Sequence, residues 1–144
     1  MLAKEKHTQW SPDLIYFNNR EVKPTTGYYV QKLYGQNVGS HYIPSQIILD
    51  NQDNRVKLRI GSSIVRDSKT GDVIVKLVNL LPVSVETEIQ LPGIGSVQPS
   101  AVRTVLAGAP ESTPLPVTDT IEVGANFKQQ LPAYSFTVIR LKTK

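Results

Sequence analysis

Glu86 and Glu88 stand two residues apart in a run that alternates apolar and polar side chains, Val83-Ser84-Val85-Glu86-Thr87-Glu88-Ile89. Two carboxyls on one face can serve as paired acid and base. Here Val83, Val85, Thr87 and Ile89 occupy the opposite face, so the pair marks the solvent side of a half-buried strand. His7 and His41 are the only histidines. A metal site needs several ligands at suitable spacing, and a Ser-His-Asp arrangement needs a strand–turn nucleophile such as GxSxG, which the sequence lacks. Both histidines therefore read as surface or junction residues. Asp50-Asn51-Gln52-Asp53-Asn54 clusters side-chain oxygens but lacks the Gly and distal Glu of a calcium loop, so it predicts a polar turn. Tyr28, Tyr29, Tyr34 and Tyr42 could offer ring faces to sugars, as carbohydrate-binding modules do. At helical spacing such residues more often pack half-buried with a polar tip in water.

The elements that hold these residues fall into two textures. Residues 1 to about 40 contain most of the tyrosines and the single Trp. Asp13 to Phe17 is a compact apolar run bounded by Pro12 and Asn18-Asn19, read as a buried strand or turn. From Thr26 the spacing of Tyr29, Val30, Leu33 and Tyr34 predicts a short helix that Gly35 and Gly39 could end. One extended piece and one short helix cannot bury so many apolar side chains among themselves, so this block reads as the end of a larger domain.

Beyond Tyr42 the period becomes two. Arg55-Val56-Lys57-Leu58-Arg59-Ile60 predicts a strand with its charges on one wet face. Asp67 to Asp72 is a turn, and Val73 to Asn79 is a mostly buried strand that forms a hairpin with Ser63 to Arg66. Val83 to Ile89, Ala101 to Leu106, Thr120 to Val123 and Tyr134 to Leu141 complete the set, with a Pro-rich connection from Gly108 to Pro116. Six or more short strands punctuated by turns predict an all-β fold, an antiparallel β-sandwich.

Composition narrows the function classes. At 144 residues the chain supports one ordinary domain. Its 40% apolar and 19% charged content, with ten Pro and nine Gly, favours β structure with many turns over helices. The formal charge of +4 is spread along the chain rather than gathered into a basic stripe interleaved with aromatics, which argues against a nucleic-acid partner. The absence of Cys removes disulfides, thiol nucleophiles and cysteine metal sites together. No apolar run approaches the ~20 residues of a membrane helix, so no membrane partner is expected. The start, Met1 to Lys6, lacks the apolar centre of a signal peptide.

Three blocks carry a family resemblance: His7-Thr8-Gln9-Trp10-Ser11-Pro12-Asp13-Leu14-Ile15-Tyr16-Phe17-Asn18-Asn19, Tyr28-Tyr29-Val30-Gln31-Lys32-Leu33, and Leu131-Pro132-Ala133-Tyr134-Ser135-Phe136-Thr137-Val138. In content and order they resemble the C-terminal part of the α-L-arabinofuranosidases of glycoside hydrolase family 51, over nearly the whole chain. The resemblance implies that residues 1–40 are the last strand and helix of a catalytic (β/α)8 barrel. Residues 41–144 would be an accessory jelly-roll-like sandwich. The implied parent is a retaining hydrolase that removes terminal α-L-arabinofuranosyl groups from arabinan- or arabinoxylan-type polysaccharides and needs no cofactor.

Such an enzyme requires two carboxyl groups about 5–5.5 Å apart. The family's two catalytic glutamates lie on earlier barrel strands. None of Glu5, Glu21, Glu86, Glu88, Glu111 and Glu122 sits in a matching motif, so no catalytic residue is expected here. Gln9 and Trp10 are the residues that the resemblance makes substrate contacts in an intact enzyme. Barrel active sites open at the C-terminal ends of the strands, where an amide can bond sugar hydroxyls and an indole can stack on a ring. The implied partners are the missing barrel of the same polypeptide and, through it, arabinose-containing glycans. A sandwich cut from its parent also risks self-association through an open sheet edge. A stand-alone carbohydrate-binding module and a purely structural sandwich are the alternative readings. The compartment is not legible in the sequence.

Overall fold

The computed structural model describes the backbone of residues 2–4 and, in full, residues 13–143. The chain begins with a small ribbon. β1 (Leu2–Lys4) runs parallel to β2 (Ile15–Phe17), and β3 (Val22–Pro24) returns antiparallel to β2. The turn between β2 and β3 is closed by Asn18, whose Oδ1 accepts the N–H groups of Arg20 and Glu21, each at 2.9 Å. Thr25 then joins ribbon to helix. Its N–H and its hydroxyl both donate to Leu14 O, and its Oγ1 accepts the Tyr28 N–H as the helix N-cap.

Helix α1 (Thr26–Gln36) starts where its apolar spacing predicts. It runs through Gly35 and stops at Asn37, whose N–H bonds Tyr34 O and whose amide donates to Leu33 O at 2.8 Å. Gly39 is needed for a different reason. Its φ is +70°, and a Cβ there would lie 2.5 Å from Val65 Cγ2. The backbone must pass this close to the sheet to enter its edge.

The main body is a six-stranded sheet in the order β4-β5-β6-β11-β8-β9, antiparallel throughout. Its strands are β4 (His41–Ile43), β5 (Ile60–Arg66), β6 (Val73–Asn79), β8 (Val97–Ala107), β9 (Val117–Glu122) and β11 (Ser135–Thr143). A second sheet pairs β7 (Val85–Gln90) with β10 (Asn126–Leu131). The all-β sandwich with antiparallel sheets read from the sequence is thus what the chain forms, with α1 added on the far face.

One segment departs from expectation. Residues 55–60 do not form a strand: Asn54–Lys57 is a one-turn helix, α2, and β5 begins only at Ile60. The cause is local. Asp53 accepts the Arg55 N–H at 2.8 Å and also holds the Arg55 guanidinium, which rewards helical geometry that alternation alone does not reveal. Arg55, Lys57 and Arg59 consequently do not share a strand face. Strands β4 and β10 are additions: one is only three residues long, the other, Asn-Phe-Lys-Gln-Gln-Leu, is mostly polar.

Strand periodicity sends side chains of β6 and β11 to both faces of the sheet. Val73, Val75, Leu77, Ile139 and Leu141 face the small sheet and meet Ile89 and Leu131. Ile74, Phe136 and Val138 face the other way and meet Leu33 of α1, with Val65 and Leu106. Val73, Ile74, Ile139 and Leu141 are fully inaccessible. Each such side chain contributes about 1.5–3 kcal/mol by leaving water.

Asn79 pins the sandwich at one end. Fully buried, its Nδ2 donates to Val83 O (2.9 Å), Pro132 O (2.8 Å) and more weakly Leu131 O (3.3 Å), while Oδ1 accepts the Leu81 N–H. One side chain thereby ties the exit of β6, the entry to β7 and the β10–β11 turn. Asn79→Ala should cost about 2–3 kcal/mol, because it strands buried backbone groups; urea unfolding monitored by far-ultraviolet dichroism measures it. Thr137 supplies the opposite case, since its hydroxyl is buried without a hydrogen-bond partner among the described residues. Thr137→Val is expected to leave the same midpoint unchanged or raise it.

Candidate functional site

The face of the large sheet that carries α1 is where the chain concentrates its less ordinary contacts. α1 lays Tyr29, Val30 and Leu33 onto the sheet. Tyr34, one position on, stacks on Phe136 of β11 with centroids 4.7 Å apart and planes 9° from parallel. Lys76 of β6 brings its Nζ to 5.2 Å from the same Tyr34 ring. Lys76 is only 5% exposed, and burial pulls its ammonium below the usual lysine pKa.

The helix is fastened at both ends. At its start, Thr26 Oγ1 donates to Ser112 O at 3.3 Å. At its end, Arg140 of β11 reaches Asn37 Oδ1 (3.1 Å) and Gln36 O (3.4 Å) while pairing with Asp72 at 3.0 Å. A guanidinium beside the last carbonyls also complements the negative end of the helix dipole. Between these fastenings lies a groove of about 330 Å³, walled by Val30, Tyr34, Leu106, Pro114, Tyr134 and Phe136. Tyr134 sits there in the left-handed region, φ 48°. Its N–H donates to Leu81 O, and its carbonyl accepts the Gly108 N–H, so the turn into β11 is held from both sides.

The residues singled out in the sequence are dispersed. His7, Gln9 and Trp10 lie outside the described residues. Glu86 and Glu88 point outward from β7, as their alternation implies, where Lys128 of β10 pairs with Glu86 at 3.0 Å and Gln90 bonds Glu88. His41 is exposed on the edge strand with its Nδ1 3.0 Å from Ser40 Oγ. The 50–54 loop spends its oxygens on itself: Asn51 Oδ1 accepts the Asp53 N–H, and Asp53 caps α2. The tyrosines do not form one platform. Tyr28 and Tyr29 meet edge to face at 5.3 Å and 75°, Tyr34 lies flat on Phe136, and Tyr42 stands apart on β4.

Among the described residues no three His, Cys, Asp or Glu side chains converge to hold a metal ion, and no helix is long and apolar enough to cross a membrane. What sequence reading passed over is Lys76, concealed in a run of apolar residues that reads as a buried strand. Its only signal is a charge at an inward position of Val73-Ile74-Val75-Lys76-Leu77.

Charge also ties the two sheets together. Arg103 of β8 grips Asp119 of β9 through both Nε and Nη2, and its Nη1 donates to Gln129 Oε1 of β10 at 2.8 Å. The guanidinium holds the Asp119 carboxyl below the ordinary carboxylate range.

No family model matches the chain. An extracellular exo-α-L-arabinofuranosidase of Streptomyces chartreusis is 48% identical over 46 residues, which are 32% of this chain and 6% of that protein. An arabinose-bound family 51 α-L-arabinofuranosidase superposes on all of this chain with a TM-score of 0.85 and 30% identity, and 23% of its own chain is covered. The arabinose complex of the α-L-arabinofuranosidase from Thermotoga maritima gives a TM-score of 0.73 over 89% of this chain and 31% of its own; at 14% identity that likeness concerns the fold. The resemblance to family 51 arabinofuranosidases read from the sequence is therefore borne out, and the chain spans less than a third of each of these relatives.

Two outcomes follow from the fastenings. Arg140→Leu leaves Asp72 and the last carbonyls of α1 without their cation, and should speed amide exchange across α1 while strands β6 and β8 keep their protection. Asp119→Asn should be less stable than the parent chain at neutral pH. Because the folded-state pKa of Asp119 is depressed, its contribution is present above the unfolded value of about 3.9. It is lost as the pH falls through the lower folded value, so the two thermal midpoints should converge in acid.

Proposed function

We propose that this chain is the closing part of an α-L-arabinofuranosidase of the family 51 type, with residues 1–40 contributing the last strand and helix of the barrel and residues 41–144 forming the accessory sandwich. The observation that carries this reading is the match of the entire chain, ribbon, helix and sandwich together, to 23% of an arabinose-bound enzyme of that family at 30% identity. The packing gives the role its physical content. α1 shares a core with the large sheet, so a barrel that ends in α1 is braced by the sandwich across buried apolar contacts rather than through a flexible linker.

In this reading the sandwich does no chemistry. Glu86 and Glu88, the closest pair of glutamates in sequence, face solvent on β7 and are engaged by Lys128 and Gln90. The scission of terminal α-L-arabinofuranosyl groups belongs to carboxyls on the barrel, and Gln9 and Trp10 would approach the sugar from the end of its last strand. The dispersal of the tyrosines supports an accessory domain over a sugar-binding module, which needs its rings on one exposed face.

The purified chain should release no arabinose from an aryl α-L-arabinofuranoside, whereas a polypeptide carrying the barrel ahead of it should. Turnover by the chain alone would contradict the accessory role. Calorimetry against arabinan should give no heat of binding, and saturable heat would restore the binding-module reading.

A further inference from the structure

The two edges of the large sheet differ. β4, at one end, is three residues long. β9, at the other, is the six-residue strand Val-Thr-Asp-Thr-Ile-Glu, paired with β8 from Ser100–Glu122 to Val105–Val117 without a bulge. Four of its six residues are β-branched, none is Lys or Pro, and all but Ile121 are exposed, Val117 at 67%. Edges are ordinarily guarded by shortness, lysines, prolines or bulges, and β9 has none of these guards. Its central charge, Asp119, is already held by Arg103 of the neighbouring strand.

Backbone alternation fixes which groups are free. The Val123 N–H donates to Pro99 O at 2.9 Å, so Ile121–Ala101, Asp119–Arg103 and Val117–Val105 are the pairs that exchange bonds with β8. Thr118, Thr120 and Glu122 therefore turn their N–H and C=O groups away from the sheet. A second copy of β9, brought up by a two-fold axis perpendicular to the sheet, offers the same residues in reverse order. Centred on Thr120, Thr120 meets Thr120 and Thr118 meets Glu122. No acid then faces an acid: Asp119 lies opposite Ile121, and Glu122 opposite the Thr118 hydroxyl. The exposed Val117 comes against Val123, which packs on the small-sheet core. The neighbouring registers are poorer. One sets Asp119 against Asp119, and the other carries Thr118 past the end of the strand it should pair.

We propose that β9 is a self-pairing edge, on which a second copy of this chain docks as an antiparallel strand centred on Thr120. The six-stranded sheet then continues across the two-fold axis, and the helix-bearing face of one copy continues that of the other. The chain's positive charges lie off this edge, since β9 carries none.

The chain has no Cys, so Thr120→Cys places a lone thiol at the axis. In the paired state the two Cα atoms lie about 5.5 Å apart, within reach of a disulfide. Two Thr118→Cys thiols lie about 13 Å apart along the strands. Oxidation in native buffer, read by non-reducing electrophoresis, should link Thr120→Cys about tenfold faster than Thr118→Cys, because pairing raises the effective concentration only of thiols at the axis. Mixing Thr118→Cys with Glu122→Cys should yield the crossed dimer. Sedimentation of the unsubstituted chain should show a dimer that grows with concentration. Thr120→Lys, which opposes two ammonium groups, should be monomeric, and an equimolar mixture with Thr120→Glu should restore the dimer. A monomer at every concentration, equal oxidation of Thr120→Cys and Thr118→Cys, or a dimer that survives Thr120→Lys would overturn the self-pairing edge. Should Thr120→Lys fail to fold, the cysteine comparison decides alone.

Discussion

A sheet whose central strands are apolar on both faces cannot stand with one face in water. That constraint organises the molecule. β6 and β11 place fully buried side chains on alternate sides, Val73, Ile139 and Leu141 toward the small sheet, Ile74 and Val138 toward the helix. A two-stranded sheet satisfies the first side and a single eleven-residue helix the second. The helix therefore belongs to the stability of the sheet as much as the strands do. Its polar fastenings, Arg140 at one end and Thr26 at the other, set where it lies, while Leu33 and its neighbours supply the attraction.

Under the proposed reading, the same constraint would join the sandwich to a catalytic barrel. If α1 is the last helix of a barrel, its buried face is claimed by the sandwich, and the two bodies share one hydrophobic seam. Rotation of one against the other would expose Phe136, Leu106 and Ile74 together. Inter-domain contacts are often polar and permissive of motion; a seam built on a shared helix is not.

What could be read from the sequence followed from periodicity. The near-continuous apolar runs of Val73–Asn79 and of the closing strand marked both as strands, and the spacing of Tyr29, Val30, Leu33 and Tyr34 located the helix. Residues 55–60 misled because their charges alternate while Asp53 supplies a cap that favours a helical turn. β10 was invisible for a related reason: one of its faces is solvated and the other holds Gln129, so its hydrophobic signal is weak. The site was less legible than the fold. Gln9 and Trp10 were named from family likeness, whereas Lys76, Arg140 and Tyr34 acquire meaning only when strands and helix distant in sequence are brought together.

The strand order has a bearing on how the molecule comes into being. β11, the latest in chain order of the described strands, lies between β6 and β8 at the centre of the large sheet. Until it arrives, β6 and β8 have no strand between them, and the sheet remains a three-stranded piece, β4-β5-β6, and a separate β8-β9 pair, each with an exposed edge. Both cores draw on β11, so neither is complete until that strand is in place. Its arrival joins both parts of the sheet, both faces and the helix, which makes the nine-residue β11 the keystone of assembly rather than its trim.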